Sequence, residues 1–147
     1  MTDQIHGACV EISGVGVLLR GPSGSGKSDL ALRLIDGGAS LVADDRVDLA
    51  VLDGVLTARA PANLAGMIEV RGMGIMHIPY AAQTTIGLVI DLVDPDSIER
   101  MPEPTVCRLL EVETPLMRLG PQAASAAARV RLAVDAMRHP ASLAAAL

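Results

Sequence analysis

The sequence is almost without aromatic residues. Among its 147 residues there is no Phe and no Trp, and Tyr80 is the only aromatic side chain. The net charge is −5, and the arginines are scattered along the chain. Proteins that bind nucleic acid usually combine a basic face with rings on which bases stack. We therefore expect no nucleic-acid partner, and a bound nucleotide base would have to lie against aliphatic side chains.

Long hydrophobic runs are also lacking, although half of the residues are hydrophobic and the mean hydropathy is +0.41. The longest uncharged stretch, residues 72–90, contains Pro79 and three glycines. A helix that spans a membrane needs about 20 mainly apolar residues in a row. We expect no membrane segment, and we attribute the surplus apolar surface to contacts between subunits.

Neither a leader peptide nor a disulfide framework is indicated. Residues 1–4 lack the basic region and the apolar core of a signal peptide. Cys9 and Cys107 have no Cys or His close to them in the sequence, so we interpret both as reduced core residues. These features predict a cytoplasmic protein, and the length predicts one domain over residues 1–147.

What the sequence does contain is a complete phosphate-loop motif. The motif consists of Gly21, Pro22, Ser23, Gly24, Ser25, Gly26, Lys27 and Ser28. The apolar residues 15–20 predict a buried strand before it, and the spacing of apolar residues over 29–36 predicts a helix after it. In this arrangement backbone N–H groups and the helix N-terminus point at one anion. Lys27 is the only lysine, and an arginine does not replace its compact charge.

A pair of acidic residues follows the next predicted strand. Residues 39–43 are mostly apolar and are followed directly by Asp44 and Asp45. Ligands of such sheets bind beyond the carboxyl ends of the strands, so the two acids are expected to face the nucleotide. Neighbouring side chains of an extended chain point in opposite directions. We therefore expect one acid to face a metal or its surroundings and the other to face the phosphoryl acceptor.

Two further polar residues each allow two interpretations. Glu69 lies within an apolar strand, where a buried carboxylate needs Arg71, a metal ion or backbone donors as its partner. Spacing alone does not decide between structural pairing and metal binding. His6 lies near the start of a strand predicted over residues 5–12, either as an exposed strand-end histidine or as a functional residue.

The rest of the chain predicts further strands and a second helix. The predicted elements are a β-hairpin over residues 46–59, strands over 84–93 and 107–112, an acidic loop over 91–104 that contains Arg100, and a helix from Pro121 to about Arg138, ended by Pro140. With the phosphate loop, these elements predict an α/β domain that binds a nucleoside triphosphate.

Composition narrows the class of phosphate-loop protein. The Asn-Lys-x-Asp motif by which GTPases recognise guanine is absent, because Asn63 and Lys27 are the only residues of their types. Large motor ATPases need a longer chain. Small-molecule kinases usually carry arginine-rich lids, whereas the arginines here are dispersed.

Four blocks of sequence together resemble the bacterial HPr serine kinase/phosphorylase family. They are residues 6–10 (His-Gly-Ala-Cys-Val), 21–28, 41–45 (Leu-Val-Ala-Asp-Asp) and 68–75 (Ile-Glu-Val-Arg-Gly-Met-Gly-Ile). The resemblance covers the catalytic C-terminal domain of that family, and it implies that the N-terminal domain of the long members is absent. It also implies a P-loop-containing mixed sheet with flanking helices, similar to phosphoenolpyruvate carboxykinase, and a hexamer.

The resemblance implies ATP and Mg²⁺ as cofactors and HPr, or an HPr-like phosphocarrier, as partner. It implies that Lys27 binds the β- and γ-phosphates, Ser28 and Glu69 ligate Mg²⁺, Asp45 is the general base, Asp44 supports it from beside the metal, and His6 and Arg100 are catalytic-site residues. Phosphoryl transfer requires mainly positioning and charge neutralisation, and these residue types supply both.

One segment departs from the family pattern. The family has a Pro-Val-Arg-Pro-Gly-Arg-Asn-like segment where residues 114–124 are Thr-Pro-Leu-Met-Arg-Leu-Gly-Pro-Gln-Ala-Ala. Arg118 and Gly120 are possible counterparts, but the second arginine and the asparagine are missing. We predict a kinase with weak or absent phosphorolysis. The alternatives are a kinase of the same fold that acts on another protein or a small molecule, and a nucleotide-binding regulator without catalysis.

Overall fold

Strands dominate the described part of the chain, residues 1–139 of the computed structural model. The strands are β1 (Thr2–His6), β2 (Ala8–Ile12), β3 (Val15–Arg20), β4 (Ser40–Ala43), β5 (Arg46–Leu52), β6 (Val55–Arg59), β7 (Met67–Val70), β8 (Gly74–His77), β9 (Thr84–Leu92), β10 (Thr105–Leu109) and β11 (Val112–Leu119). The helices are α1 (Lys27–Asp36) and α2 (Ala126–Arg138). Pro140, the predicted helix stop, lies outside the described residues. No helix within residues 1–139 has the length and apolarity needed to cross a bilayer.

The apolar strand β9 is the centre of the main sheet. β3 pairs with β9 in parallel along one edge. Along the other edge, the start of β9 pairs with β6 in antiparallel orientation, and its end pairs with β11 in parallel orientation. β2 and β4 continue the sheet beyond β3, and β5 and β1 continue it beyond β6. The predicted mixed sheet is therefore confirmed. β7 and β8 form a separate two-stranded sheet.

The two faces of the central strands are covered by different elements. On β3, Val17 and Leu19 belong to the core formed with both helices, whereas Leu18 belongs to the core formed with the β5–β6 hairpin. The alternation follows from the two-residue period of a strand. Both helices consequently lie on one face, and the hairpin, which was predicted from its Asp53-Gly54 turn, closes the other.

The strand expected over residues 5–12 is in fact two strands. β1 pairs with β5, whereas β2 pairs with β3 and β4. Gly7 lies at the break, where an added Cβ would be 2.8 Å from the carbonyl oxygen of Leu19. The chain therefore changes partners at a residue that only glycine fits.

The second half of the chain contains two more corrections. The strand expected over residues 107–112 is a hairpin of β10 and β11, turned at Leu110 (φ 47°) and Glu111 (φ 66°). Gly, Asn and Asp normally adopt such positive φ angles, but this turn consists of Leu and Glu, so the sequence contains no signal for it. Helix α2 begins at Ala126 instead of Pro121. Cys9 is buried as expected, Cys107 is half-buried, and both are free thiols.

Candidate active site

The phosphate-loop motif lies where β3 ends and α1 begins. Within the loop, the Ser25 amide donates to the carbonyl of Pro22 at 3.0 Å, and Gly26 has a φ of 98°, which glycine adopts without strain. Within the described residues no side chain caps the N-terminus of α1. The first N–H groups of the helix are therefore available to an anion.

Lys27 is folded under the loop to which it belongs. Its side chain is buried, and Nζ donates to the carbonyl oxygens of Gly21 at 2.7 Å and Pro22 at 2.9 Å. Burial lowers the pKa of Lys27, an effect that Asp44 and Asp45 partly offset. A cation with little access to water gains much from an added anion, so the environment of this lysine suits phosphate binding.

Asp44 and Asp45, directly after β4, contact different partners. Asp44 is buried, and its Oδ1 accepts from Ser28 Oγ at 2.7 Å while Oδ2 accepts from the amide of Glu69 at 3.1 Å. The Asp45 side chain is 60% exposed, and its Oδ1 lies 2.9 Å from Nε2 of His6. The structure confirms the expectation that the two acids point in different directions.

A three-residue turn sets the direction of Asp45. The Arg46 amide donates to the Asp44 carbonyl at 2.9 Å, which places Asp45 at the centre of the turn with a φ of 72°. The Asp45 carbonyl accepts from the Gly7 amide at 3.1 Å. Positive φ is sparsely populated outside glycine, and strain of this kind is concentrated at functional sites.

The loop, the two acids and the β7–β8 hairpin surround a cavity of about 700 Å³. The predicted site residues that line it are His6, Ser23, Gly24, Ser25, Gly26, Lys27, Ser28, Asp44, Asp45 and Glu69. Gly21 and Pro22 are not among the lining residues, although their carbonyls hold Lys27. Arg100 does not line the cavity either: it is exposed in the loop after β9.

Glu69 is exposed at the cavity surface, so the expectation of a buried carboxylate was wrong. On β7 the neighbouring Ile68 takes the buried position, and alternation turns Glu69 outward. Within residues 1–139, no group of three or more His, Cys, Asp and Glu side chains could hold a metal ion by itself. Mg²⁺ usually takes one or two carboxylates together with substrate phosphates and water. The oxygen donors of Ser28, Asp44 and Glu69 fit an ion shared in that way.

Sequence reasoning missed several residues that line the cavity. They are Asp29, Leu32, Val70, Arg71 and Gln122. Arg71 was considered only as a partner of Glu69, although its position two residues further along the same hairpin was a usable signal. Gln122 is far from the other blocks in sequence, and no local pattern marks it. Leu32 and Val70 provide aliphatic surface in a cavity that no Phe, Tyr or Trp of the described residues lines.

An ion pair beneath the phosphate loop fixes the position of the first residue of the loop. Arg20, the last residue of β3, binds Asp91 of β9 through Nε–Oδ1 (2.8 Å) and Nη2–Oδ2 (3.0 Å). The hydrogen bond to Asp91 raises the pKa of Arg20. Because Gly21 follows Arg20 directly, this two-pronged contact ties the first residue of the loop to the central strand.

Comparison with known proteins places this geometry in a family. Residues 1–130 match the family model described as HPr Serine kinase C-terminal domain. The HPr kinase/phosphorylase of Clostridium novyi (strain NT) is 53% identical over 76 residues, which are 52% of this chain and 25% of the relative. The HPr kinase/phosphorylase of Clostridium kluyveri (strain ATCC 8527) is 52% identical over 96 residues, covering 60% of this chain and 31% of the relative.

A solved structure matches nearly the whole chain. The Hpr(Ser) kinase/phosphatase from Coxiella burnetii superposes with a TM-score of 0.86 over 98% of this chain and 95% of that one, at 24% sequence identity. The likeness confirms the α/β fold with its mixed sheet and helices. The matched region spans about a quarter to a third of the length of the curated relatives.

Proposed function

Since the chain belongs to the HPr serine kinase C-terminal domain family, we propose that it is an ATP- and Mg²⁺-dependent serine kinase that phosphorylates HPr or an HPr-like phosphocarrier. The observation that carries the proposal is the His6–Asp45 pair, which lines the same cavity as Lys27 and Ser28. A carboxylate held by a histidine near a phosphate loop supplies both a base and an anion site, which phosphoryl transfer requires.

The phosphate-loop side of the cavity would hold the nucleotide. The free N–H groups at the start of α1 would receive phosphate oxygens, and Lys27 would exchange one or both loop carbonyls for the β- and γ-phosphates. Ser28 and Glu69 would ligate Mg²⁺, with Asp44 beside them. Bound there, Mg²⁺ would draw charge from the phosphate oxygens.

Asp45 would act as the general base. As a base, Asp45 would only accept hydrogen bonds, so Nε2 of His6, 2.9 Å away, would donate to Oδ1 and orient the other oxygen for the acceptor. Asp45 would take the proton of the serine hydroxyl as the serine oxygen bonds to the γ-phosphorus. The bond from that phosphorus to the bridging oxygen breaks, and ADP leaves with that electron pair.

Two parts of this proposal extend beyond the cavity. Arg100 would neutralise phosphate charge only if its loop closed toward the site, since it lies outside the lining residues here. A hexamer is the proposed assembly, and exposed apolar residues such as Met73 and Met101 provide surface for subunit contacts. Light scattering measures the assembly directly, and a monomer at all concentrations would contradict it.

Transfer of radiolabelled phosphate from ATP to purified HPr tests the kinase. We expect labelling of HPr that requires Mg²⁺ and is lost when the acceptor serine of HPr is changed to alanine. Labelling that persists in the alanine variant would show that another residue is the acceptor. Nucleotide binding without labelling of any phosphocarrier would instead favour a non-catalytic regulator.

The altered segment over residues 114–124 leads us to propose weak or absent phosphorolysis. Thr114 to Leu119 belong to strand β11, and Gln122 is the residue of this segment that lines the cavity. Phosphorylated HPr incubated with the protein and inorganic phosphate should release little pyrophosphate. Rapid pyrophosphate release would overturn this part of the proposal and leave the kinase intact.

A further inference from the structure

We propose that Arg33 is a positioning residue for nucleotide binding, because it fastens residues 120–125 to helix α1 as a wall of the cavity. These residues, which join β11 to α2, are called here the connecting segment. The inference rests on the proposed function, since it concerns the site that would hold the nucleotide. It assigns a role to a residue that none of the sequence blocks contains.

The guanidinium of Arg33 joins three parts of the site region. Nη2 donates to the carbonyl of Pro121 at 2.6 Å, and Nη1 donates to the carbonyl of Ala123 at 3.5 Å. Nε lies 3.1 Å from Oδ2 of Asp29 on the preceding turn of α1. The two Nη groups hold both carbonyls by hydrogen bonds with fixed directions, which a lysine in the same place cannot do. Within the described residues Nε makes no hydrogen bond, so Asp29 is attracted to the guanidinium by charge alone.

The connecting segment in turn shapes the cavity. Pro121 is buried and packs behind the loop, where a Cβ added to Gly26 would lie 3.5 Å from Pro121 Cβ. Gln122 lines the cavity itself. A shift of the segment would therefore change both the support of the loop and the wall next to it.

A second arginine strengthens this fastening from α2. Nη2 of Arg131 donates to the backbone carbonyl of Arg33 at 3.1 Å. The same guanidinium lies against Gly37, where an added Cβ would overlap Nη2. Arg131 thus ties α2 to the backbone of α1, and Arg33 ties α1 to the connecting segment.

Arg33 has an electrostatic effect as well, and the two effects can be separated. Asp29 lines the cavity, so its negative charge would repel a phosphate. Pairing with Arg33 reduces that repulsion. Fastening and charge compensation predict different results when Asp29 is neutralised in a chain that lacks Arg33.

Calorimetric binding of a non-hydrolysable ATP analogue tests the positioning role. Arg33→Ala should raise the Kd roughly 10-fold, as expected for loss of charged hydrogen bonds, and should raise the KM for ATP more than it lowers kcat. Arg33→Lys, which keeps the charge, should bind with intermediate affinity. Arg129→Ala, an exposed arginine on α2, is the matched control and should bind like the unaltered protein.

Hydrogen exchange gives a measurement that needs no nucleotide. The Ala126 amide, which donates to the carbonyl of Ala123 at 3.0 Å, should exchange faster in Arg33→Ala than in the unaltered protein and Arg129→Ala, while the melting temperatures show that all three are folded. Unchanged exchange in Arg33→Ala would overturn the positioning role and leave the proposed function standing. The same holds if the unaltered protein binds the analogue and Arg33→Ala binds it equally well. Failure of the unaltered protein to bind the analogue would overturn the proposed function, and the exchange measurement would still decide the fastening.

The double variant Arg33→Ala/Asp29→Asn separates fastening from charge. We expect its affinity to stay well below that of the unaltered protein, because the connecting segment is still released. Full recovery of affinity would show that Arg33 only compensates the charge of Asp29, and the positioning role would be overturned.

Discussion

The two walls of the cavity are built in different ways. The phosphate-loop wall extends from a central strand of the main sheet, and it is secured by the Arg20–Asp91 pair and by the bonds of Lys27 to the loop carbonyls. The opposite wall, the β7–β8 hairpin, is a sheet of its own, whose tip carries Met73 at 66% and Ile75 at 58% exposure. A fixed wall suits a nucleotide tail of constant shape, whereas a less embedded wall can adapt to a protein acceptor.

Asp44 joins the two walls. One of its carboxylate oxygens holds Ser28 on the loop side, and the other holds the backbone of Glu69 on the hairpin side. The side chain of Asp45, next in sequence, is hydrogen-bonded to His6 instead. Under the proposed function Asp44 would support the site and Asp45 would carry out the proton transfer, and this division can be tested.

The largest expected effect comes from Asp45→Asn, which should leave both walls in place. Loss of the base should lower the rate of phosphoryl transfer by roughly 10²–10⁴-fold, while ATP affinity stays nearly the same. Transfer assays and calorimetry on one preparation measure the two quantities. Unchanged turnover would show that Asp45 is not the base. Loss of ATP binding would show that Asp45 contributes to the nucleotide site.

Asp44→Ala should disconnect the walls directly. We expect a roughly 10- to 100-fold loss of transfer, as for other residues that orient metal ligands, and faster exchange of the Glu69 amide. The amides of the loop should keep their protection. Asp44→Asn is the matched control, because its side-chain oxygen can still accept from Glu69: it should preserve the amide protection although it loses the charge. Equal exchange of Glu69 in both variants would contradict the joining role.

The fixed wall was predictable because its determinants are adjacent in sequence. Residues 15–45 contain the strand, the loop, the helix and the acids in unbroken order, and each has a local signal: apolar period, glycines, or the residue types themselves. The observed α1 simply begins two residues earlier than predicted, at Lys27. Most of the candidate site follows from this one block.

The rest could not be predicted because it depends on contacts between distant residues. Leu110 and Glu111 form the β10–β11 turn without any turn residue, since pairing of the flanking strands imposes their positive φ angles. Glu69 was expected to be buried because its neighbours are apolar, but the small hairpin has only one covered face. Gln122 lines the cavity from a segment whose Pro121 carbonyl accepts from Arg33, 88 residues away in the chain.

Gly7→Ala should disturb the position of Asp45, although Gly7 itself does not line the cavity. The added Cβ would lie 2.8 Å from the Leu19 carbonyl, and a shift of Gly7 would move its hydrogen bond to the Asp45 carbonyl. Transfer should fall roughly 10-fold, because small displacements of catalytic groups are costly. Gly54→Ala, at the turn of the β5–β6 hairpin where φ is 76°, is a control that should lower stability and leave the rate nearly unchanged. Equal loss of rate in the two variants would attribute the effect to stability.

The smallest expected effect concerns the fixed wall alone and appears in the pH dependence of stability. Burial lowers the pKa of Lys27 below its ordinary value of 10.5. Between the folded-state value and 10.5 the unfolded chain therefore binds more protons than the folded one, so the free energy of unfolding rises with pH. Compared with Lys27→Met, the unaltered protein should gain in melting temperature between neutral pH and about pH 10, since other titrating groups are common to both. If instead the melting temperature of Lys27→Met rose relative to that of the unaltered protein, the folded loop would stabilise the charged lysine before any phosphate binds. The Lys27 ammonium would then need no ligand to compensate its burial.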